Sequence, residues 1–360
     1  MSEDVYRKLA KVLDTLPNGF PATEEGIEIK LLKKMFEPDE AELFCDLKLK
    51  FETVDDIAKR TGRPAEELAQ RLNSMWERGL VFGVELGGVK LYKMMPWVFG
   101  LYEFHIKRMD REFVELCEAY APYFGEQFFN HGPSLMRVVP IEKEISAGQQ
   151  ALPYESVSAI IENGLSFGVN DCICKKEQRM IGKGCDKPLE VCLAIAPVPN
   201  VFDNSPLGLR VISKEEAYDI LKKSEEAGLV HLTANQKDGQ FFICNCCGCC
   251  CGVLRAINEM GVTNAVESNY YARIDPDECI QCGLCAEERC QVHAIEETEE
   301  GYRVIREKCI GCGLCVSTCP SEAIRLYAKK PEERIEPPAN EEQWFMLRGK
   351  ARGVDFSRFM

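Results

Sequence analysis

The sequence contains no run of about 20 uninterrupted apolar residues, the length a helix needs to span a bilayer, so no membrane span is expected. Its opening, MSEDVYRKLAKVLDTL, carries charge throughout and lacks the apolar core and small-residue cleavage site of a secretory signal, which predicts a cytoplasmic chain. No GxGxxG follows a strand pattern and there is no Walker A loop, leaving nicotinamide, flavin and nucleotide without a recognisable motif. Basic residues are in deficit, with 44 Lys plus Arg against 58 Asp plus Glu and a net charge of −14. That balance argues against a nucleic-acid partner and suits a basic protein partner.

What the chain has instead is sulfur. Twenty cysteines in 360 residues are too many for an ordinary intracellular protein, and a chain with 46% hydrophobic residues is too large to need disulfide staples. In a reducing compartment, clustered cysteines are read first as thiolate ligands of metal. Cys45 and Cys117 stand apart among apolar neighbours and are assigned to the core.

Five segments separate on pattern. Residues 1–95 open with Tyr6, Leu9, Val12, Leu13 and Leu16 at helical spacing, then read helix, turn at Thr61-Gly62, helix, and a hairpin turning at Gly87-Gly88. That order resembles a winged helix. Its candidate recognition helix sets Arg63, Arg71 and Arg78 against Glu66, Glu67 and Glu77, so packing or dimerisation is favoured over DNA binding. Residues 96–150 are aromatic-rich and predict a connecting helical segment, residues 151–268 a cysteine-rich α/β domain, residues 269–330 a repeat, and residues 331–360 a charged, extended tail. The predicted class is α+β.

The repeat is the most specific signal. At an offset of 30, Cys279, Cys282 and Cys285 fall on Cys309, Cys312 and Cys315, with Ile280, Gly283 and Leu284 on Ile310, Gly313 and Leu314. Each half reads strand, cysteine loop, short helix, strand. A CxxCxxC loop wraps three thiolates around an iron–sulfur cubane, and its glycine lets backbone N–H groups approach the sulfides. These runs, with Cys319-Pro320, resemble bacterial-type ferredoxins that hold two 4Fe-4S clusters. The resemblance implies crossed ligand sets: Cys279, Cys282, Cys285 and Cys319 for one cluster, and Cys309, Cys312, Cys315 and Cys290 for the other. The first run departs from the pattern, with four residues between Cys285 and Cys290 and Gln291 in place of proline, so a bulge is expected there.

Ten further cysteines precede the repeat: Cys172, Cys174, Cys185 and Cys192, then Cys244, Cys246, Cys247, Cys249, Cys250 and Cys251. The first four suit one thiolate cage, its charge partly offset by Lys175, Lys176 and Lys183, with zinc as the competing metal. In the second run Cys244 and Cys246 share a face if extended, and Cys247, Cys250 and Cys251 share one if helical. A further cluster, a ligand set shared between both stretches, and a larger non-cubane cluster all stay open. Between the stretches, Ser213 and Glu216 cap a helix stopped at Gly228, and His231 beyond it is read as structural rather than ligating.

As an ensemble the chain resembles large 4Fe-4S dicluster-domain ferredoxin proteins of anaerobic bacteria and archaea. The resemblance implies an oxygen-sensitive electron-transfer component serving a partner oxidoreductase rather than a stand-alone catalyst. An oxidoreductase subunit with a substrate-active middle cluster and a redox-sensing regulator are the alternatives, and homo-oligomerisation is left open.

Overall fold

Tyr6, Leu9, Val12, Leu13 and Leu16, the apolar stripe of the opening segment, are all buried, four of them on helix α1 (Ser2–Thr15). A computed structural model of the chain describes residues 2–141, 145 and 151–360. It forms two compact units, one of Met1–Gly132, Asn200–Leu209 and Phe345–Met360, the other of Pro133–Pro199 and Arg210–Trp344.

In the first unit α1 is followed by α2 (Ile27–Met35), α3 (Pro38–Phe44), strand β1 (Glu52–Thr53), α4 (Val54–Thr61), α5 (Ala65–Glu77) and the hairpin β2 (Phe82–Leu86) and β3 (Val89–Lys93). Thr53 caps α4 through a capping box with Asp56, and Gly62 ends it at φ 73°, a left-handed conformation that glycine adopts without steric cost. Gly87 and Gly88 take positive φ in the two-residue turn of the hairpin. The strands form a sheet in the order β1-β3-β2. The aromatic-rich stretch is not one helix. A short α6 (Tyr102–Phe104) is separated from α7 (Arg111–Phe129), which starts where Asp110 accepts a hydrogen bond from Phe113 N–H at 2.9 Å. The segment expected as a connector also does not stand alone: through Gly132 it belongs to the first unit, and residues 142–144 and 146–150 lie outside the described residues. Cys45 and Cys117 are buried, as their apolar neighbours predict.

The second unit is built on a seven-stranded sheet. Its elements in chain order are β4 (Met136–Val138), α8 (Val157–Glu162), β5 (Ser166–Asp171), α9 (Ile173–Met180), β6 (Glu190–Ala196), β7 (Arg210–Ile212), α10 (Lys214–Glu226), β8 (Val230–Ala234), β9 (Phe242–Cys246), α11 (Gly252–Met260) and β10 (Val266–Glu267). The strand order is β10-β4-β8-β9-β6-β5-β7, antiparallel except for the β10–β4 pair. Ser213 accepts from Glu216 N–H at 3.2 Å to start α10, whose Ala217, Ile220 and Leu221 cover Val169, Leu193 and Ile243 of the sheet. Four more strands follow: β11 (Tyr270–Ile274), β12 (Ile295–Thr298), β13 (Gly301–Val304) and β14 (Ile324–Ala328). The outer pair β11–β14 and the inner pair β12–β13 are both antiparallel, so the first strand of one repeat half pairs with the last strand of the other.

A buried ion pair ties this unit together. Arg137 on β4 pairs with Glu155, and both side chains are almost wholly out of water. Asn235 Oδ1 accepts from Arg137 at 3.2 Å, and Asn269 Nδ2 donates to Glu155 at 2.7 Å.

The C-terminal segment is only in part an exposed, extended tail: residues 331–336 are exposed, but a helix, α12 (Glu341–Arg352), follows. Arg348 is buried against the ring of Phe128, while Arg352 donates to the backbone oxygens of Asp14 and Leu16. These two arginines, which read as part of a solvated tail, cap helix ends.

Candidate metal centres

The two halves of the repeat enclose two separate hollows. Cys279, Cys282, Cys285 and Cys319 line the first, beside Ile280, Leu284, Tyr302, Pro320 and Ile324. Cys290, Cys309, Cys312 and Cys315 line the second, beside Val292, Ile295, Val304 and Ile310. Each hollow thus draws three sulfurs from one half and one from the other. Gly283 and Gly313 take φ of 78° and 84°, which turns each cysteine loop around its hollow. Gln281 and Gly311 are equivalent in the repeat and both have positive φ, but only the second is fixed by space: a β-carbon there would stand 2.3 Å from the Tyr270 carbonyl oxygen.

Backbone donors surround these sulfurs. Ala272 N–H lies 3.4 Å from Cys309 Sγ and Ala294 N–H 3.1 Å from Cys290 Sγ. Burial pushes the Cys285 thiol up to about 11 and Cys312 up to about 12. Burial acts the same way on Cys319, but the Ser321 hydroxyl and the N–H groups of Ile324, Ser321 and Ala323 outweigh it and hold that thiol below its ordinary value. The extra residue in the first run is absorbed in a single π-turn over Cys285–Arg289, closed by Cys290 N–H donating to Cys285 O at 3.0 Å.

The ten middle cysteines divide differently from the division their spacing suggests. Cys185 does not join Cys172, Cys174 and Cys192. It lies with Cys247, Cys249 and Cys250, the four sulfurs all within 4.8 Å of one another. Cys185 to Cys247 is 3.7 Å, Cys185 to Cys250 3.8 Å and Cys249 to Cys250 3.7 Å. A tetrahedral ion bound at about 2.3 Å per sulfur spaces its ligands about 3.8 Å apart, so these four fit one thiophilic ion, zinc or iron. A cubane holds its four cysteine sulfurs wider, because each binds a different iron. Among the described residues no other three cysteine sulfurs are mutually this close, so neither repeat hollow has the close spacing of a single-ion site.

The remaining six middle sulfurs neighbour one another in series. Cys172 is next to Cys174, Cys174 to Cys251, Cys251 to Cys246, Cys246 to Cys244, and Cys244 to Cys192. Strand pairing explains much of this. Leu193 opposite Ile243 places Cys192 beside Cys244 on the other face of the sheet, and Cys246 follows Cys244 by strand alternation. Cys251 departs from the expected grouping with Cys247 and Cys250 because α11 begins immediately after it, which turns its side chain back toward Cys174.

Two residues that are not cysteines hold this region. Asn245 faces away from Cys244 and Cys246. Its Oδ1 accepts from His231 Nδ1–H at 2.5 Å, its Nδ2 donates to Val191 O at 2.6 Å, and its carbonyl accepts from Lys175 Nζ at 2.8 Å. His231 is therefore a strut, as its sequence context predicts. Lys175 is fully buried, with the sulfurs of Cys172, Cys246, Cys247 and Cys174 around its amine. Burial alone would lower its pKa, and those sulfurs raise it above the ordinary lysine value.

The middle cysteines also touch the repeat. Gly248, between Cys247 and Cys249, donates from its N–H to Gln291 Oε1 at 3.0 Å, and Asn258 Nδ2 bridges the Gly248 and Gln291 carbonyls at 3.2 and 3.0 Å. A β-carbon on Gly248 would stand 2.0 Å from Gln291 O. Gln291 adjoins Cys290, so the departure from the ferredoxin pattern sits at the contact between the four-sulfur site and the second hollow. The sequence shows that departure but gives no sign of its partner. Asn245 had a signal, its place between two cysteines of an alternating strand.

The 4Fe-4S dicluster domain family matches residues 272–326, the part of the chain that forms the two hollows. No curated protein and no solved structure matches the chain. That match and the chain's many cysteines support an iron–sulfur, ferredoxin-like segment over residues 272–326, and a cysteine cluster before it could hold further metal. No helix among the described residues is long and apolar enough to cross a membrane.

Proposed function

We propose that this protein relays single electrons to or from a partner oxidoreductase through two 4Fe-4S clusters, one on Cys279, Cys282, Cys285 and Cys319, the other on Cys290, Cys309, Cys312 and Cys315. The observation that carries this reading is the pair of apolar hollows, each lined by four cysteines taken from both halves of the repeat. Bound there, a cluster supplies a one-electron couple. The chain's own contribution is to exclude water with the aliphatic lining and to aim N–H groups at the sulfurs, both of which tune that couple. The Gly248–Gln291 contact favours a relay that continues into the middle cysteines, which makes them part of the same path. A reducing compartment suits this density of thiolates.

DNA recognition is disfavoured by the pairing of the arginines that would make it. Arg63 pairs with Asp46 at 2.8 Å, Arg71 with Asp39 and Arg78 with the buried Glu40. Committed to carboxylates, these side chains are poor phosphate ligands.

Anaerobic purification, iron and sulfide quantitation, and EPR of the reduced protein test the proposal. Cys319→Ser is expected to alter the cluster that Cys279→Ser alters, and Cys290→Ser the one that Cys309→Ser alters. Iron-free protein, or Cys290→Ser and Cys279→Ser acting on one and the same cluster signal, would refute it.

A further inference from the structure

Six cysteines remain once the four-sulfur site and the two hollows are set aside, and they lie on the strand ends of β5, β6 and β9 and at the starts of α9 and α11. Cys172 stands at the N-cap of α9 and Cys251 at the N-cap of α11. Neither makes a capping bond of ordinary geometry, but the N–H groups of Lys175 and Leu254 favour their thiolates. Two helix N-termini, each equivalent to about half a positive charge, therefore converge on the same ring of sulfurs. Lys175, buried, sets its amine beside them.

We infer that Cys172, Cys174, Cys192, Cys244, Cys246 and Cys251 hold a polynuclear iron–sulfur cluster, separate from the single-ion site of Cys185, Cys247, Cys249 and Cys250.

Spacing decides the nuclearity. One tetrahedral ion, or two sharing bridging cysteines, requires at least three sulfurs mutually about 3.8 Å apart. No three of these six lie within 4.8 Å of one another. They neighbour one another in series instead, and metal ions held by such a set must be bridged by something other than cysteine. Inorganic sulfide is that bridge. Each ligating thiol releases its proton as the irons bind.

This rests on the electron-transfer reading, and one preparation separates the two. In full-length protein purified anaerobically, iron and sulfide should each exceed about eight per chain, the quantity two cubanes account for. Replacing Cys174 and Cys244 together by serine should remove iron and sulfide in equal amounts and leave about eight of each. Cys249→Ser should remove at most one metal ion and no sulfide. Protein without iron would defeat the relay proposal itself. About eight irons and eight sulfides in the unaltered chain would overturn the six-cysteine cluster alone, and this count decides the matter even if the double variant fails to fold. Excess iron and sulfide lost from Cys249→Ser but kept in the double variant would overturn it as well.

Discussion

Gly248 is confined by space rather than by backbone conformation. With an added β-carbon 2.0 Å from the Gln291 carbonyl oxygen, Gly248→Ala must push two cysteine-bearing segments apart. Overpacking of this kind typically costs about 1–3 kcal/mol, and more where the obstacle is backbone. We expect a correspondingly lower denaturation midpoint, together with slower electron exchange between the second hollow and the middle centres at unchanged metal content. Unchanged exchange kinetics in the variant would show that this contact is not on the path. His105, in the first unit, is a second residue with a definite consequence. It is buried, and burial followed by the charge of Arg108 pulls its pKa down to about 4. An unfolded histidine titrates near 6.5, so between those values the unfolded chain binds a proton that the folded chain does not, and stability falls as pH falls. At pH 5 the loss is about 2 kcal/mol relative to pH 7. Urea unfolding followed by tryptophan fluorescence should show this difference, and His105→Gln should lack it.

Among the elements, β4 and the segment before α8 meet through Arg137 and Glu155. Glu155→Ala leaves a guanidinium in the core without its carboxylate and removes the acceptor of Asn269, which should cost about 3–5 kcal/mol. Replacing both charges, with Arg137→Met and Glu155→Leu, should cost far less, because no lone charge remains. Thermal unfolding of the two proteins by circular dichroism checks the order. Element boundaries were largely legible in the sequence where local signals act: the turn at Thr61-Gly62, the Ser213 cap, the Gly87-Gly88 turn and all four strands of the repeat. The repeat was legible because three cysteines and their neighbours recur at one offset. The partition of the ten middle cysteines was not. It depends on Cys192 lying across from Cys244 and on a helix starting just after Cys251, and neither fact is contained in ligand spacing. Cys185 leaves its sequence neighbours for the same reason, since the loop after α9 carries it to the turn between β9 and α11.

At the scale of the whole molecule the two units are expected to depend on metal unequally. The first is filled by Leu9, Leu13, Phe36, Phe44, Phe113 and similar side chains, and its two cysteines, Cys45 and Cys117, are buried. The core between the two hollows has few aliphatic residues, among them Ile274, Ile295 and Ile324, and its sulfurs complete it. Stripping metal with a chelator under reducing conditions should therefore open the second unit to protease while fluorescence from Trp76 and Trp97 of the first persists. Simultaneous loss of both would show that the first unit does not fold independently. The C-terminal segment was misread in part at this scale because Arg348 and Arg352 carry the composition of a tail, and only tertiary structure supplies the ring and carbonyls they meet.

On the ligand sets proposed above, the interleaving of the middle cysteines constrains when the chain can take up metal. Chains emerge from the ribosome N-terminus first. Cys172, Cys174, Cys185 and Cys192 thus appear while every one of their later partners is still unsynthesised, and they belong to two different centres. Early metal capture by these four would fill a site that does not exist in the finished protein. Neither middle centre has its full ligand set until Cys250 and Cys251 are in place, and the second and first hollows then wait for Cys315 and Cys319. On those ligand sets metal insertion is expected to be late, after the making of β7, α10, β8 and β9.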